Sequence, residues 1–109
     1  MEIILTGRHV EVTEELRDYV REKTSKLSRY YDRIHEIEVI LDHESDQFSA
    51  EVIVRADHKH TFLASGNGPD TFALIDKITE KLERQLTKHK EKKRNRKGGT
   101  AADGNSAQG

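Results

Sequence analysis

Lys77, Lys81, Arg84 and Lys88 are spaced four, three and four residues apart. On a helix, which advances about 100° per residue, that spacing lines four cations along one flank. Such a row can neutralise a polyanion such as a nucleic-acid backbone. Phe72, Ile75, Ile78, Leu82 and Leu86 fall on a second stripe that reads as core, and Asp76, Glu80 and Glu83 fall on a third. A helix that is merely soluble mixes its charges to gain i,i+4 pairs; sorted charges point to a partner.

Other chemistry-bearing residues form weaker patterns. His58 and His60 share a strand face, with His43 as a third ligand at most, whereas zinc takes three or four ligands with supporting partners. Gly66-Asn67-Gly68-Pro69-Asp70 precedes the helix and matches no complete phosphate-binding motif; Asp70 reads as an N-cap, which would repel an anion. Glu36, Glu38 and Glu51 are the available carboxylates, and no nucleophile stands beside a base. The reading is therefore a binding protein, not an enzyme, with no cofactor and no metal.

The 109 residues, 33% apolar, suffice for one domain with one modest core. No apolar run approaches a membrane span, and Met1-Glu2-Ile3-Ile4-Leu5-Thr6 lacks the features of a secretory signal. Absence of cysteine suits a reducing compartment. A cytoplasmic protein with no membrane and no small-molecule substrate as partner is expected, monomeric when free. Net charge is −1, but residues 32–67 carry eight acids against three bases and residues 70–97 ten bases against five acids. The molecule should be bipolar.

Six elements must position these residues. Glu2 to Thr6, ended by Gly7, reads as a strand; Thr13 caps a helix whose inner face holds Leu16, Tyr19, Val20, Lys23 and Leu27 and which frays near Ser28 to Tyr31. Alternation at Ile37, Val39 and Leu41, then at Phe48, Ala50, Val52, Val54 and Ala56, gives two more strands. Thr61 to Ser65 is a fourth, and the long helix from Asp70 to Lys97 closes the domain. The fold class is α+β, in the order βαβββα, with two parallel helices on one face of a four-stranded sheet. Residues 1–93 form the domain and residues 94–109 a basic to neutral disordered tail.

With strand order one to four and the usual right-handed crossover, Arg17 and Arg21 should face the second helix, and Lys77, Lys81, Arg84 and Lys88 should face the first. Both helices would then line one basic groove and export their acids. On the opposite sheet face, Ile4, Ile40, Ile53 and Leu63 amid acids form a second surface, suited to a protein partner.

The stretch Leu5-Thr6-Gly7-Arg8-His9-Val10-Glu11-Val12-Thr13-Glu14-Glu15-Leu16-Arg17-Asp18-Tyr19-Val20, with Lys23, Lys26-Leu27 and Tyr30-Tyr31-Asp32-Arg33-Ile34, resembles the opening of the bacterial ribosome hibernation-promoting factors and ribosome-associated inhibitors, the sigma modulation protein family. Ala73 to Lys77 and Lys81-Leu82-Glu83-Arg84-Gln85-Leu86-Thr87-Lys88-His89-Lys90 resemble the family's signature helix. The resemblance spans residues 1–93 and implies a fold similar to double-stranded-RNA-binding domains. It also implies binding to the small ribosomal subunit and its rRNA in the mRNA/tRNA channel, translation inhibition, and preservation of idle ribosomes in stress or stationary phase. The basic positions that match are Lys23, Lys26, Lys81, Arg84, Lys88 and Lys90, with Gln85 and His89 as polar neighbours; Arg17, Arg21, Arg29 and Lys77 join them by geometry. The length resembles the short form, which promotes ribosome pairing, whereas the tail after Lys90 resembles the inhibitor that keeps ribosomes unpaired.

Overall fold

The computed structural model describes residues 1–98, with side chains through Lys90. Strand β1 (Glu2–Arg8) leads into helix α1 (Glu14–Ser25) and a 3-10 turn (Lys26–Arg29). Strands β2 (Ile34–Glu44), β3 (Gln47–Ala56) and β4 (Thr61–Gly68) follow, then helix α2 (Thr71–Gly98). The sheet order is β1-β2-β3-β4, with β1 parallel to β2 and the other pairs antiparallel. The expected α+β class and element order are observed. β1 passes Gly7 and β4 runs through Gly66, each further than expected; the chain expected to fray after α1 tightens into the 3-10 turn instead. The tail expected over residues 94–109 lies in α2 as far as Gly98 and otherwise outside the described residues.

Local chemistry explains both helix starts. Thr13 accepts the Leu16 N–H at 3.1 Å, with Glu14 and Glu15 in the first turn, where the helix dipole favours acids. Asp70 accepts the Phe72 N–H at 3.1 Å, and its carbonyl takes the Leu74 N–H at 3.0 Å. The core lies between the helices and the odd residues of β2 (Ile37, Val39, Leu41) and the even residues of β3 (Ala50, Val52, Val54, Ala56). From α2 it receives Leu74, Ile75, Ile78, Leu82 and Leu86. Each such side chain contributes roughly 1.5–3 kcal/mol of burial. Thr24 and Thr79 are buried as well, each hydroxyl donating to the carbonyl four residues back.

The hand of the β1–α1–β2 crossover follows from the β2–β3 turn. Glu44 pairs with Gln47, so only Ser45, at φ 58°, and Asp46 make the turn. A two-residue hairpin is closed by a hydrogen-bonded pair. Counting back by twos, Asp42, Ile40 and Glu38 direct their backbone groups at β3, while the buried Leu41, Val39 and Ile37 direct theirs at β1. Seen from the side of its side chain, an L-residue on an upward strand points its N–H and C=O to the right. From the helix side β1 therefore lies to the right of β2, and the path forward through α1 and back to β2 is left-handed.

The outer edge of β4 agrees. The outward-facing Leu63 and Ser65 direct their carbonyls off the sheet, where Gln85 Nε2 at 2.9 Å and Lys81 Nζ at 3.1 Å donate to them. Right-handed crossovers account for about 98% of such units, and the hairpin register overrides that tendency. The helices consequently meet through the flanks opposite to those expected. Arg17 and Arg21 do not face α2, and Lys77, Lys81, Arg84 and Lys88 do not face α1.

Gly7 permits the tight entry to α1. A Cβ there would sit 2.7 Å from Val12 Cγ2 and 2.9 Å from the Val10 carbonyl oxygen. Gly7→Ala should therefore destabilise the domain by about 1–3 kcal/mol, read as a lower urea midpoint at constant slope; an unchanged midpoint would contradict this close approach.

Candidate nucleic-acid interface

The seam between the helices is closed and nearly neutral. Tyr19 and Phe72 meet edge to face with ring centroids 4.9 Å apart. Asp76 accepts the Tyr19 hydroxyl at 2.6 Å and pairs with Lys23 Nζ at 3.6 Å, and that ammonium lies 5.4 Å from the Tyr19 ring centre. Of the expected site residues, Lys23 is thus engaged inside the protein. The expected basic groove between the helices is not there, because the left-handed crossover turns Asp76 and Glu83 toward α1.

The basic flank of α2 lies along β4 instead. Lys81 and Gln85 hold the strand's outer carbonyls as described, and Lys77 and Lys88 share their flank. Arg84 stands further out, 3.9 Å from Glu80. Arg17 and Arg21 occupy the far side of the molecule, where Arg21 lines a shallow pocket with Met1, Glu2, Ile3, Glu22 and Ser25. The twelve expected residues therefore do not form one wall.

Several of them converge at one end. The two helices run parallel, so the Lys26–Arg29 turn reaches the level of Leu86 to Lys90, and Tyr31 meets His89 edge to face at 5.5 Å. Residues 26–35, 57–60 and 88–90 contribute Lys26, Arg29, Arg33, Lys59, Lys88 and Lys90 against Asp32 and Asp57, a net of +4, together with His35, His58, His60 and His89. At the opposite end, residues 8–15, 42–47 and 67–71 hold Glu11, Glu14, Glu15, Asp42, Glu44, Asp46 and Asp70 against Arg8 alone, a net of −6. The molecule is bipolar, and its axis is that of the helices. A helix dipole alone rewards acids at N-termini and bases at C-termini, but it does not account for Arg33 and Lys59, which lie outside the helices. Both were missed from sequence because segmental counting placed them in the acidic stretch.

The basic end is rigidly built. Asp57 receives Arg33 Nη1 at 3.3 Å and pairs with His35; Arg33 foremost, with His35, holds its carboxyl below the usual range. His60 and His89 meet at 4.6 Å between ring centroids. No group of three metal-ligating side chains occurs among the described residues. On the outer sheet face Arg55 bridges Glu36 at 2.6 Å and Glu38 at 3.1 Å. Ile4, Ile40 and Ile53 are half-buried there and Leu63 is exposed. No helix among the described residues is long and apolar enough to cross a membrane.

Comparison with known proteins gives a consistent picture. Residues 3–94 match the family described as Sigma 54 modulation protein / S30EA ribosomal protein. A ribosome hibernation promoting factor of Escherichia coli K12 is 40% identical over 92 residues, covering 84% of this chain and 96% of that protein. One from Pseudomonas putida KT2440 is 38% identical over 102 residues, covering 94% and 99%. Among solved structures, the Thermus thermophilus Protein Y N-terminal domain superposes with a TM-score of 0.75 at 31% identity, covering 82% of this chain and 99% of that one. A ribosomal subunit interface protein from Coxiella burnetii gives 0.74 at 28% identity, covering 84% and 99%.

The Tyr19–Asp76 bond is open to direct measurement. Donation to Asp76 pushes the Tyr19 phenol up to about 12, with burial adding to the shift. A raised value means the bond's stabilisation is complete below the ordinary tyrosine pKa of about 10 and is lost as pH rises through about 12. Ultraviolet titration of the three tyrosines should show one late phase that vanishes in Tyr19→Phe; a late phase that survives the substitution would assign it elsewhere.

Proposed function

This chain belongs to the Sigma 54 modulation protein / S30EA ribosomal protein family, and on that premise we propose that it is a ribosome hibernation factor. It binds rRNA of the small subunit in the channel that mRNA and tRNA would use, blocks translation by occupying that space, and preserves inactive ribosomes under stress or in stationary phase. The observation that carries this reading is the near full-length similarity to proteins named ribosome hibernation promoting factor. The separation of charge in the fold gives it a physical means.

Lysines and arginines at the basic end and along the β4 flank of α2 neutralise phosphates and release counterions. These contacts position the protein without reading sequence. Specificity then comes from the shape of a folded rRNA pocket, into which a rigid α+β block fits or does not. The bound protein acts by occlusion, and its relatives are named as ribosome factors, so no bond is made or broken. Free in the cytoplasm it is a monomer, and once bound it promotes ribosome pairing. The alternative is a ribosome-associated inhibitor that keeps ribosomes single. Among the proposed contacts Lys26, Arg29, Lys77, Lys81, Arg84, Lys88 and Lys90, with Gln85 and His89, have the most favourable placement. Lys23, Arg17 and Arg21 are secondary.

Sucrose-gradient sedimentation with purified ribosomes tests the reading. The protein should travel with the small subunit, and a paired-ribosome peak should grow with added protein. Raising salt from 50 to 200 mM should weaken binding roughly a hundredfold if about four phosphates are neutralised. The triple reversal K81E/R84E/K88E should weaken it at least tenfold at fixed salt. A protein that remains at the top of the gradient at low salt, or binding indifferent to both salt and reversal, would overturn the proposal.

A further inference from the structure

The turn between β3 and β4 (Asp57–Lys59) places two consecutive residues, His58 and Lys59, at φ 61° each. They are the only consecutive pair in that conformation among the described residues. Side chains bearing a Cβ disfavour this region, and glycine is its ordinary occupant. The chain instead places an imidazole and an ammonium there, both exposed. Among the described residues, neither takes a hydrogen bond or an ion pair, and the ring of His58 meets only that of His60, at 6.4 Å.

The turn is held in place from behind. The Asp57 N–H donates to the Arg33 carbonyl at 3.0 Å, the Ala56 N–H to the His60 carbonyl at 2.9 Å, and the His60 N–H to the Asp57 carbonyl at 3.3 Å. The carboxylate of Asp57 is taken up by Arg33 and His35, so the nearest acid is already neutralised. Backbone outliers of this kind persist where the surroundings over-determine them, and they concentrate at working surfaces.

The location also continues the basic flank of α2. Lys81 stands at Ser65 and Gln85 at Leu63, so four helical residues, about 6 Å, advance two residues along β4. The next turn sets Lys88 level with Thr61, beside Lys59. A row of cations therefore runs Lys77, Lys81, Lys88, Lys59 and bends at the end of the sheet toward Arg33. Glu80, on the same helix, stands by Arg84 at 3.9 Å.

We propose that the His58–Lys59 turn is a phosphate-contacting part of the ribosome-binding surface, Lys59 neutralising one phosphodiester of the rRNA and His58 donating a hydrogen bond to the same strand. This inference rests on the ribosome-binding reading above and extends it to residues outside the helices. The strained turn presents both side chains to solvent.

Two variants of the full chain test this in ribosome pelleting across a salt series. Lys59→Gln leaves the backbone as it is and removes one charge. It should weaken binding about three- to tenfold and make the slope of log K against log salt shallower by about one. H58G/K59G relaxes the turn, so its thermal midpoint should equal or exceed that of the parent while binding weakens at least as much. Parental affinity and slope in both variants, with the parent itself binding and K81E/R84E/K88E impaired, would overturn this inference and leave the ribosome reading standing. A parent chain that does not bind ribosomes at all would overturn both. A double variant that melts lower and binds as before would make the turn purely structural, which also refutes the inference.

Discussion

Everything about the surface of this protein depends on a matter of parity. In β2 the apolar residues are odd-numbered, and the two-residue turn at Ser45 and Asp46 commits the even-numbered ones to hydrogen bonding with β3. Those two facts, with the chirality of the backbone, decide on which side of β2 the first strand lies when the helices are in front. Had the hairpin closed one pair earlier, at His43 and Phe48 with a four-residue turn, the odd residues would bond to β3, the same apolar alternation would serve the opposite hand, and the helices would exchange the flanks they show each other. A hairpin closed by backbone hydrogen bonds is local and forms early and cheaply, whereas the preference for right-handed crossovers arises from the twist of strands acting over a long connection. Here the local term prevails.

The distribution of charge follows from that hand. Asp76 is brought to Tyr19 and Lys23, so the helix–helix contact is satisfied by one short hydrogen bond, one ion pair and a pair of rings. The cations of α2 are left on its outer side, where two polar side chains do a second task by covering the open carbonyls of β4. An uncovered edge would invite pairing with another chain; here Lys81 and Gln85 occupy it. Lys26, Arg29, Lys88 and Lys90 collect at the level where α1 ends, next to the strand ends that supply Arg33 and Lys59.

Much of the architecture was legible in the sequence because period two and period 3.6 are imposed by burial on one face. The alternation in β2 and β3, the cap at Thr13 and the cap at Asp70 all appear where those signals put them. Thr24 and Thr79 were not legible as core, since a hydroxyl reads as polar until the backbone carbonyl that accepts its proton is known. Leu74 is buried toward Gly66 although it stands off the main stripe. The inter-helix groove is a different case: both helices show the stripes expected of them, but the usual hand of the connection, which orients them in that expectation, is not the hand observed. The signal that could have corrected it was present in Glu44-Ser45-Asp46-Gln47, whose length sets the hydrogen-bonding parity. Arg33 and Lys59 are hidden in the sequence by the acidic stretch around them, while the fold gathers charge by height along the helix axis.

That height-wise separation has a dynamical meaning as well. A body with seven acids at one end and a surplus of four cations at the other experiences a torque in the field of a polyanion before it touches it. In the field of a polyanionic surface such a body turns its basic end foremost and its acidic end outward. Encounters become pre-aligned, and fewer of them are wasted on orientations that cannot dock.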